Sequence, residues 1–178
     1  CLENNMKILF IPLDERPCNM LYPQYIAESA DIELIVPPLS LMSEKKIAAD
    51  TELLWDFVFE NSKHVDAVVF SSDMMMYGGL IPSRLHHLPE VAISKYAEKL
   101  VALKQQNQRV KIYAYSCIMR CPSYSSSDEE PDYYDQFGEQ LFRRKYLEDK
   151  LNRHGLTQQE QEKYNSLIDA VPEQVLSD

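Results

Sequence analysis

Four short runs rich in β-branched and aromatic residues punctuate the first two thirds of the chain: Lys7–Leu13, Ile32–Val36, Asp66–Asp73 and Val110–Ser116. Each has the length of a strand, and the first and third are almost unbroken stretches of apolar residues, the pattern of strands buried on both faces. Helical patterns lie between them. One helix is expected from about Met20 to Ala30. A second follows Asp50 as N-cap, with Leu53, Leu54, Phe57 and Val58 on its inner face. A third is opened by Pro89 and carries Ile93, Tyr96, Ala97, Leu100 and Leu103 at helical spacing. Strands alternating with helices in this way require a parallel sheet with right-handed crossovers. The expected fold is α/β, a Rossmann-like, doubly wound parallel sheet of βα units in the order 2-1-3-4, followed by a helical C-terminal segment.

Residues 1–120 are expected to form the α/β domain. Residues 121–132, dominated by Ser, Pro, Asp and Glu, read as a mobile polar loop. Residues 133–178 read as helices, with Gly155 as a stop signal, Thr157-x-x-Glu160 as a capping box and Pro172 at the start of a last helix. That helix runs to the end of the chain, so the sequence is expected to be the N-terminal part of a longer protein whose remainder packs with it. No internal repeat is visible.

Composition narrows the partners. The 178 residues hold 28 Asp+Glu against 18 Lys+Arg, a formal charge of −10. Such a surface repels phosphate backbones and anionic lipid, so neither nucleic acid nor a membrane is expected as a partner. No apolar run approaches the length of a membrane span. The N-terminal Cys1–Phe10 superficially resembles a signal peptide, but Pro12 and Asp14-Glu15-Arg16 interrupt it and no cleavage site follows. Cys1, Cys18, Cys117 and Cys121 are too few and too irregular for a disulfide framework. Reduced thiols and a cytoplasmic location are expected.

Ligands of open α/β sheets bind at the carboxyl ends of the strands. Those ends carry Asp14, Glu15 and Arg16 after the first strand, Ser71, Ser72 and Asp73 after the third, and Arg120 after the fourth. In the expected strand order Asp14 and Asp73 are neighbours. Such a pair either holds a hard cation such as Mg²⁺ or separates its pKa values into acid and base or nucleophile roles, which Glu15 could share. Arg16, Arg84 and Arg120 are suited to hold an anionic or polyhydroxyl substrate by bidentate hydrogen bonds; salt bridges to the same acids explain each arginine equally well. The chain has only 4 glycines, where average usage of about 7% gives roughly 12. Two of them, Gly78 and Gly79, follow Tyr77 at the end of the third strand and can turn the backbone so that its N–H groups approach a ligand; a turn with no ligand explains the pair equally well. No phosphate-loop or dinucleotide fingerprint accompanies them. Met74, Met75 and Met76 read as core fillers. His86 and His87, on a loop beyond Arg84, read as exposed residues with a base or ligand as the alternative, His64 and His154 end helices where a cation suits the dipole, and Ser71, Ser72 and Cys18 lack a partner that would make them nucleophiles.

The stretch Phe10-Ile11-Pro12-Leu13-Asp14-Glu15-Arg16-Pro17-Cys18-Asn19, the Val36-Pro37-Pro38 strand end and the segment Ser72–Arg84 together resemble a family of uncharacterised bacterial proteins, the domain of unknown function numbered 4127. Ile118-Met119-Arg120 and Asp132-Tyr133-Tyr134 are similar to it as well. The resemblance implies a longer protein with further Asp-rich motifs, and no particular reaction. The leading expectation is a hydrolase-like enzyme acting on a small polar or carbohydrate-type substrate. Asp14, Glu15 and Asp73 would do the chemistry, while Arg16, Asn19, Tyr77, Gly78, Gly79, Arg84 and Arg120 would bind the substrate. Two alternatives stand beside it. One is a non-catalytic Mg²⁺-binding or regulatory module resembling the receiver-domain pocket, with Asp14 and Asp73 as ligands. The other is a carbohydrate- or peptide-binding domain using some of the 11 tyrosines.

Overall fold

The computed structural model describes residues 5–177, so Cys1 lies outside the described residues. These fall into two compact units, one ending at Cys117 and the other beginning at Ile118. The first is an α/β unit around a four-stranded parallel sheet. Its strands are β1 (Lys7–Ile11), β2 (Glu33–Ile35), β3 (Ala67–Ser71) and β4 (Lys111–Tyr115), in the order β2-β1-β3-β4. This is the expected order, and it puts β1 and β3 at the centre, in register from Ile8 opposite Ala67 to Ile11 opposite Phe70.

Helix α1 (Pro17–Ser29) links β1 to β2, and α2 (Thr51–Asn61) precedes β3. The first begins three residues earlier than its apolar pattern suggests because Pro17, with φ already fixed and no N–H to waste, suits the first helical position. Asp50 caps α2 as expected, accepting from Glu52 N (2.9 Å) and Leu53 N (3.2 Å). Asp50→Ala is expected to cost about 1 kcal/mol and to lower the melting temperature by about 3 °C in a thermal scan.

The buried stripe of α2 is shifted from the expected one. Leu54, Trp55 and Val58 face the sheet, whereas Leu53 is 50% exposed. Trp55 takes the central place: its Nε1 donates to the Met75 carbonyl (3.2 Å), and its ring lies 5.8–6.1 Å from those of Phe59, Phe70 and Tyr96. An indole buries more apolar surface than a leucine and still needs a partner for its N–H, and this position supplies both. Leu9, Ile11, Val68 and Phe70 form the sheet side of the same core. Each buried side chain of this size contributes about 1.5–3 kcal/mol.

Beyond β3 the chain departs from the expected strand and glycine loop. The strand stops at Ser71, whose hydroxyl accepts from Met74 N (3.2 Å) and so caps a short helix, α3 (Ser72–Tyr77). The unbranched methionines favour helix, and Met74 and Met75 are fully buried as core fillers. A one-turn helix α4 (Pro82–Leu85) follows, then α5 (Val91–Gln106). On α5, Tyr96, Leu100 and Leu103 pack on the core, but Ile93 is 59% exposed and Ala97 is also exposed, so the packed stripe starts at Tyr96.

The second unit is helical, with α6 (Tyr134–His154), α7 (Gln158–Ala170) and α8 (Glu173–Ser177). Gly155 ends α6 at φ 79°, Thr157 and Glu160 form the expected capping box, and α8 starts just after Pro172. The 121–132 segment has no helix or strand and is tied to α6, with Ser127 N donating to Asp135 (2.6 Å) and Glu139 N donating to Ser125 Oγ (3.2 Å). Among the described residues, no helix is long and apolar enough to cross a membrane.

Candidate functional site

Parallel register brings the carboxyl ends of β1 and β3 side by side, and the two acids that leave those ends are both buried. Asp14 is 4% exposed and Asp73 5%. Their surroundings differ sharply. Asp14 Oδ1 accepts from Arg16 N (3.0 Å) and Asn19 Nδ2 (2.7 Å), while Oδ2 accepts from Arg16 Nε (2.9 Å) and Nη2 (2.6 Å). Two donors on each oxygen fill the usual acceptor positions of a carboxylate. Burial pushes this carboxyl up, but the hydrogen bonds from Arg16 and Asn19, reinforced by the guanidinium charge, outweigh it and hold the group below its ordinary value. Asp14 is thus a fixed anion, whose lone pairs are already committed, and it orients Arg16 and Asn19. A cation at Asp14 would have to displace Arg16.

This arrangement makes Asp14 a stability element with a defined pH window. Its contribution is complete above the unfolded-state pKa of about 3.9 and fades as the pH falls from there through the lowered native value. Asp14→Asn is expected to cost about 2 kcal/mol near neutral pH, the range for hydrogen bonds to a charged group. The variant should also show a flatter loss of stability below about pH 4 in acid-denaturation curves.

Glu15, the second acid expected to be catalytic, is likewise committed. Its Oε2 accepts from Ser43 Oγ (2.6 Å) and its Oε1 from Lys45 N (2.8 Å), which ties the segment after β2 to the end of β1. Asp73 is different. It stands in the first turn of α3, where Oδ2 accepts from Cys117 N (2.9 Å); among the described residues Oδ1 accepts no hydrogen bond. The Tyr115 phenol, at the end of β4, lies in the field of both Asp73 and Asp14. Burial and then the charge of the Cys117 thiol and these two carboxylates push it far up, so it stays protonated, and its Oη donates to Ile11 O at 3.5 Å. On the other side, Tyr96 Oη donates to Ser72 Oγ (2.9 Å).

Tyr115, Ser43 and the Ser72–Tyr96 pair were not among the expected site residues. The rule that singled out Asp14 and Asp73 also points to Tyr115, since it too occupies a strand carboxyl end. Ser43 carries no comparable signal, because its partner Glu15 is distant in sequence.

The glycine pair has a role that needs no ligand. Gly78 sits at φ 78° as the C-cap of α3, and its N–H is bonded to Met74 O (2.9 Å), while Gly79 N reaches Asp73 O (3.3 Å). Both N–H groups expected to face a ligand therefore close the helix end. Tyr77 stacks on His86, ring centroids 4.3 Å apart. Arg84 lies half-buried on α4. Arg120 belongs to the second unit, where Nη2 donates to the Tyr124 hydroxyl (3.0 Å) with its guanidinium over the same ring.

Among the described residues, no group of three His, Cys, Asp or Glu side chains could hold a metal ion. No curated protein and no solved structure matches the chain. Residues 8–178 match the family described as Protein of unknown function (DUF4127), which covers both units and every candidate site residue. The chain belongs to that family.

Proposed function

We propose that the carboxyl edge of the sheet is the active site of a hydrolase-like enzyme acting on a small polar, carbohydrate-type substrate, with Asp73 as the general base. The observation that carries this reading is the contrast among the three acids. Asp14 and Glu15 have both oxygens engaged by protein donors, whereas Asp73, equally buried, keeps one oxygen without a protein partner. Among the described residues that oxygen is not one of the enclosed polar atoms left without a partner, so it is open to an incoming water or substrate. Asp73 would take the proton from an attacking water, the protonated Tyr115 phenol would turn from its long bond to Ile11 O to donate to the oxygen on which charge develops, and Arg16, clamped by Asp14, would bind a negatively charged or hydroxyl-rich end. The Mg²⁺-binding reading is weaker because the lone pairs of Asp14 are already used. Free Cys18, Cys117 and Cys121, all exposed, favour a reducing compartment and so a cytoplasmic location.

The test is turnover of a panel of glycosides, sugar esters and small amides by the purified protein. Hydrolysis of one class, lost in Asp73→Asn with the fold retained, supports the proposal. A protein inert across the panel counts against it.

A further inference from the structure

The two faces of the parallel sheet are covered unevenly. On one face α2 and α5 pack over Leu9, Val68 and Phe70, which are fully buried. On the other, the register lines up Ile8, Ala67 and Lys111 in one row and Phe10, Val69 and Tyr113 in the next. Over β3 and β4 that face is open: Val69 is only half-buried and Tyr113 is 55% exposed, although parallel strands are normally covered on both sides. A hollow of about 540 Å³ lies there, towards the amino ends of β3 and β4, with Ile8, Val69 and Tyr113 in its wall. The volume falls within the range of small-molecule sites.

Three cations rim the hollow: Lys63 from the turn before β3, Arg109 from the turn before β4, and Lys111, the first residue of β4. Among the described residues none of these three side chains makes an ion pair or a hydrogen bond. Asp66 is the one acid among the described residues of the wall, and its Oδ2 accepts from Lys7 N (2.8 Å). Three positive charges against one negative leave +2, in a chain whose formal charge is −10. The two turns are also pinned to each other. Asn107 Nδ2 donates to Ser62 O (3.1 Å), while its Oδ1 accepts from Arg109 N (3.1 Å) and Val110 N (3.3 Å). The backbone that carries Lys63 and Arg109 is thus set before a ligand arrives, which lowers the ordering cost of binding.

We propose that this hollow binds a small aromatic phosphate monoester, its phosphoryl oxygens received by Lys63, Arg109 and Lys111 and its ring laid against Tyr113 and Val69. A phosphate monoester carries up to two negative charges above its second pKa of about 6, which matches the +2 of the wall, and a guanidinium meets it with two parallel donors. A carboxylate would leave half of that charge unmatched. The site lies at the opposite end of β3 from Asp73, roughly 13 Å from Ala67 to Ser71 at about 3.3 Å per residue. Open α/β sheets do their chemistry at the carboxyl ends, so the hollow is a binding site that does not depend on the Asp73 reading.

Phenylphosphonate is a suitable probe, because its carbon–phosphorus bond withstands hydrolysis. Inorganic phosphate serves as the anion without a ring, and benzyl alcohol as the ring without a charge. Calorimetry at pH 8 gives the affinities, and the ring NMR signals of Tyr113 report the place of binding. Phenylphosphonate should saturate a single site and shift Tyr113, while phosphate and benzyl alcohol bind at least about tenfold more weakly, as expected if both the charge-assisted contacts and the apolar floor are needed. Arg109→Gln and Lys111→Gln should each weaken the probe about tenfold, and Tyr113→Ser about fivefold. All three positions are exposed, so the fold is expected to tolerate the changes. Lys95→Gln, which removes an exposed cation that does not line the hollow, should leave binding unchanged, as should Asp73→Asn, which separates this result from the fate of the hydrolase proposal. Phosphate binding as tightly as the probe, an equal loss in Lys95→Gln, indifference to the Arg109 and Lys111 substitutions, or no binding at millimolar phenylphosphonate would each overturn the inference.

Discussion

Asp73→Asn is expected to lower kcat by about 10²–10⁴-fold, the usual contribution of a positioned general base, while KM and melting temperature stay close to those of the unaltered protein. The substitution separates chemistry from architecture. The asparagine side-chain oxygen can still accept from Cys117 N, the one protein hydrogen bond that the carboxylate makes among the described residues, so the junction after β4 keeps its tie to α3. What the amide lacks is the ability to take a proton. No arginine or lysine is bonded to Asp73 among the described residues, so removing its charge strands no cation. The same change at Asp14 has the opposite character, since there it takes the counter-charge from Arg16 and is read chiefly in stability. Thermal scans and steady-state kinetics on the two Asn variants should therefore give crossed results: Asp73→Asn folded and inactive, Asp14→Asn less stable. An Asp73→Asn protein that retains full turnover removes Asp73 from the mechanism, and one that does not fold makes it a structural residue.

How far these features could be read in advance depended on the range of the interactions that make them. Strand order and the clustering of Asp14 and Asp73 followed from local pattern alone, because apolar runs, helical spacing and the right-handed crossover leave few topologies open. The caps at Asp50 and Thr157 were legible for the same reason, since each bonds to backbone two or three residues away. What escaped was contact between distant segments. Glu15 reads as a catalytic acid in the sequence, and only the packing of Ser43 and Lys45 against it shows that both its oxygens are occupied. Trp55 displaced Leu53 from the inner face of α2 because Met75 O, twenty residues on, accepts its N–H. The helix Ser72–Tyr77 rests on local signals instead: Ser71, with an acid two residues on and three methionines after it, is a helix start, and the apolar strand running into it masks that signal.

The glycine pair leads to the second large effect. Gly78→Ala is expected to destabilise the protein by about 3 kcal/mol, combining about 1 kcal/mol for a left-handed backbone with about 2 kcal/mol for overpacking. For a chain of this size that corresponds to a drop of roughly 9 °C in melting temperature. A Cβ built at Gly78 would lie 2.6 Å from Ala49 O and 2.8 Å from Ala49 N. These are backbone atoms on a segment held in place by the bond from Ala49 N to Gly78 O (2.9 Å), so they cannot swing away as a side chain would. The two contributions can be told apart. Asp31 and Lys45 adopt φ 54° without being glycine, so positive φ by itself is tolerated in this fold. Asparagine is the residue best suited to that conformation after glycine. If backbone strain dominated, Gly78→Asn would recover most of the stability lost in Gly78→Ala. Because the close approach of Ala49 dominates, Asn should be no better than Ala, and the paired change Ala49→Gly should bring no relief, since the clash is with main-chain atoms. Melting temperatures for the three proteins decide the matter, and full recovery with Asn would show that the turn, not the contact, requires the glycine.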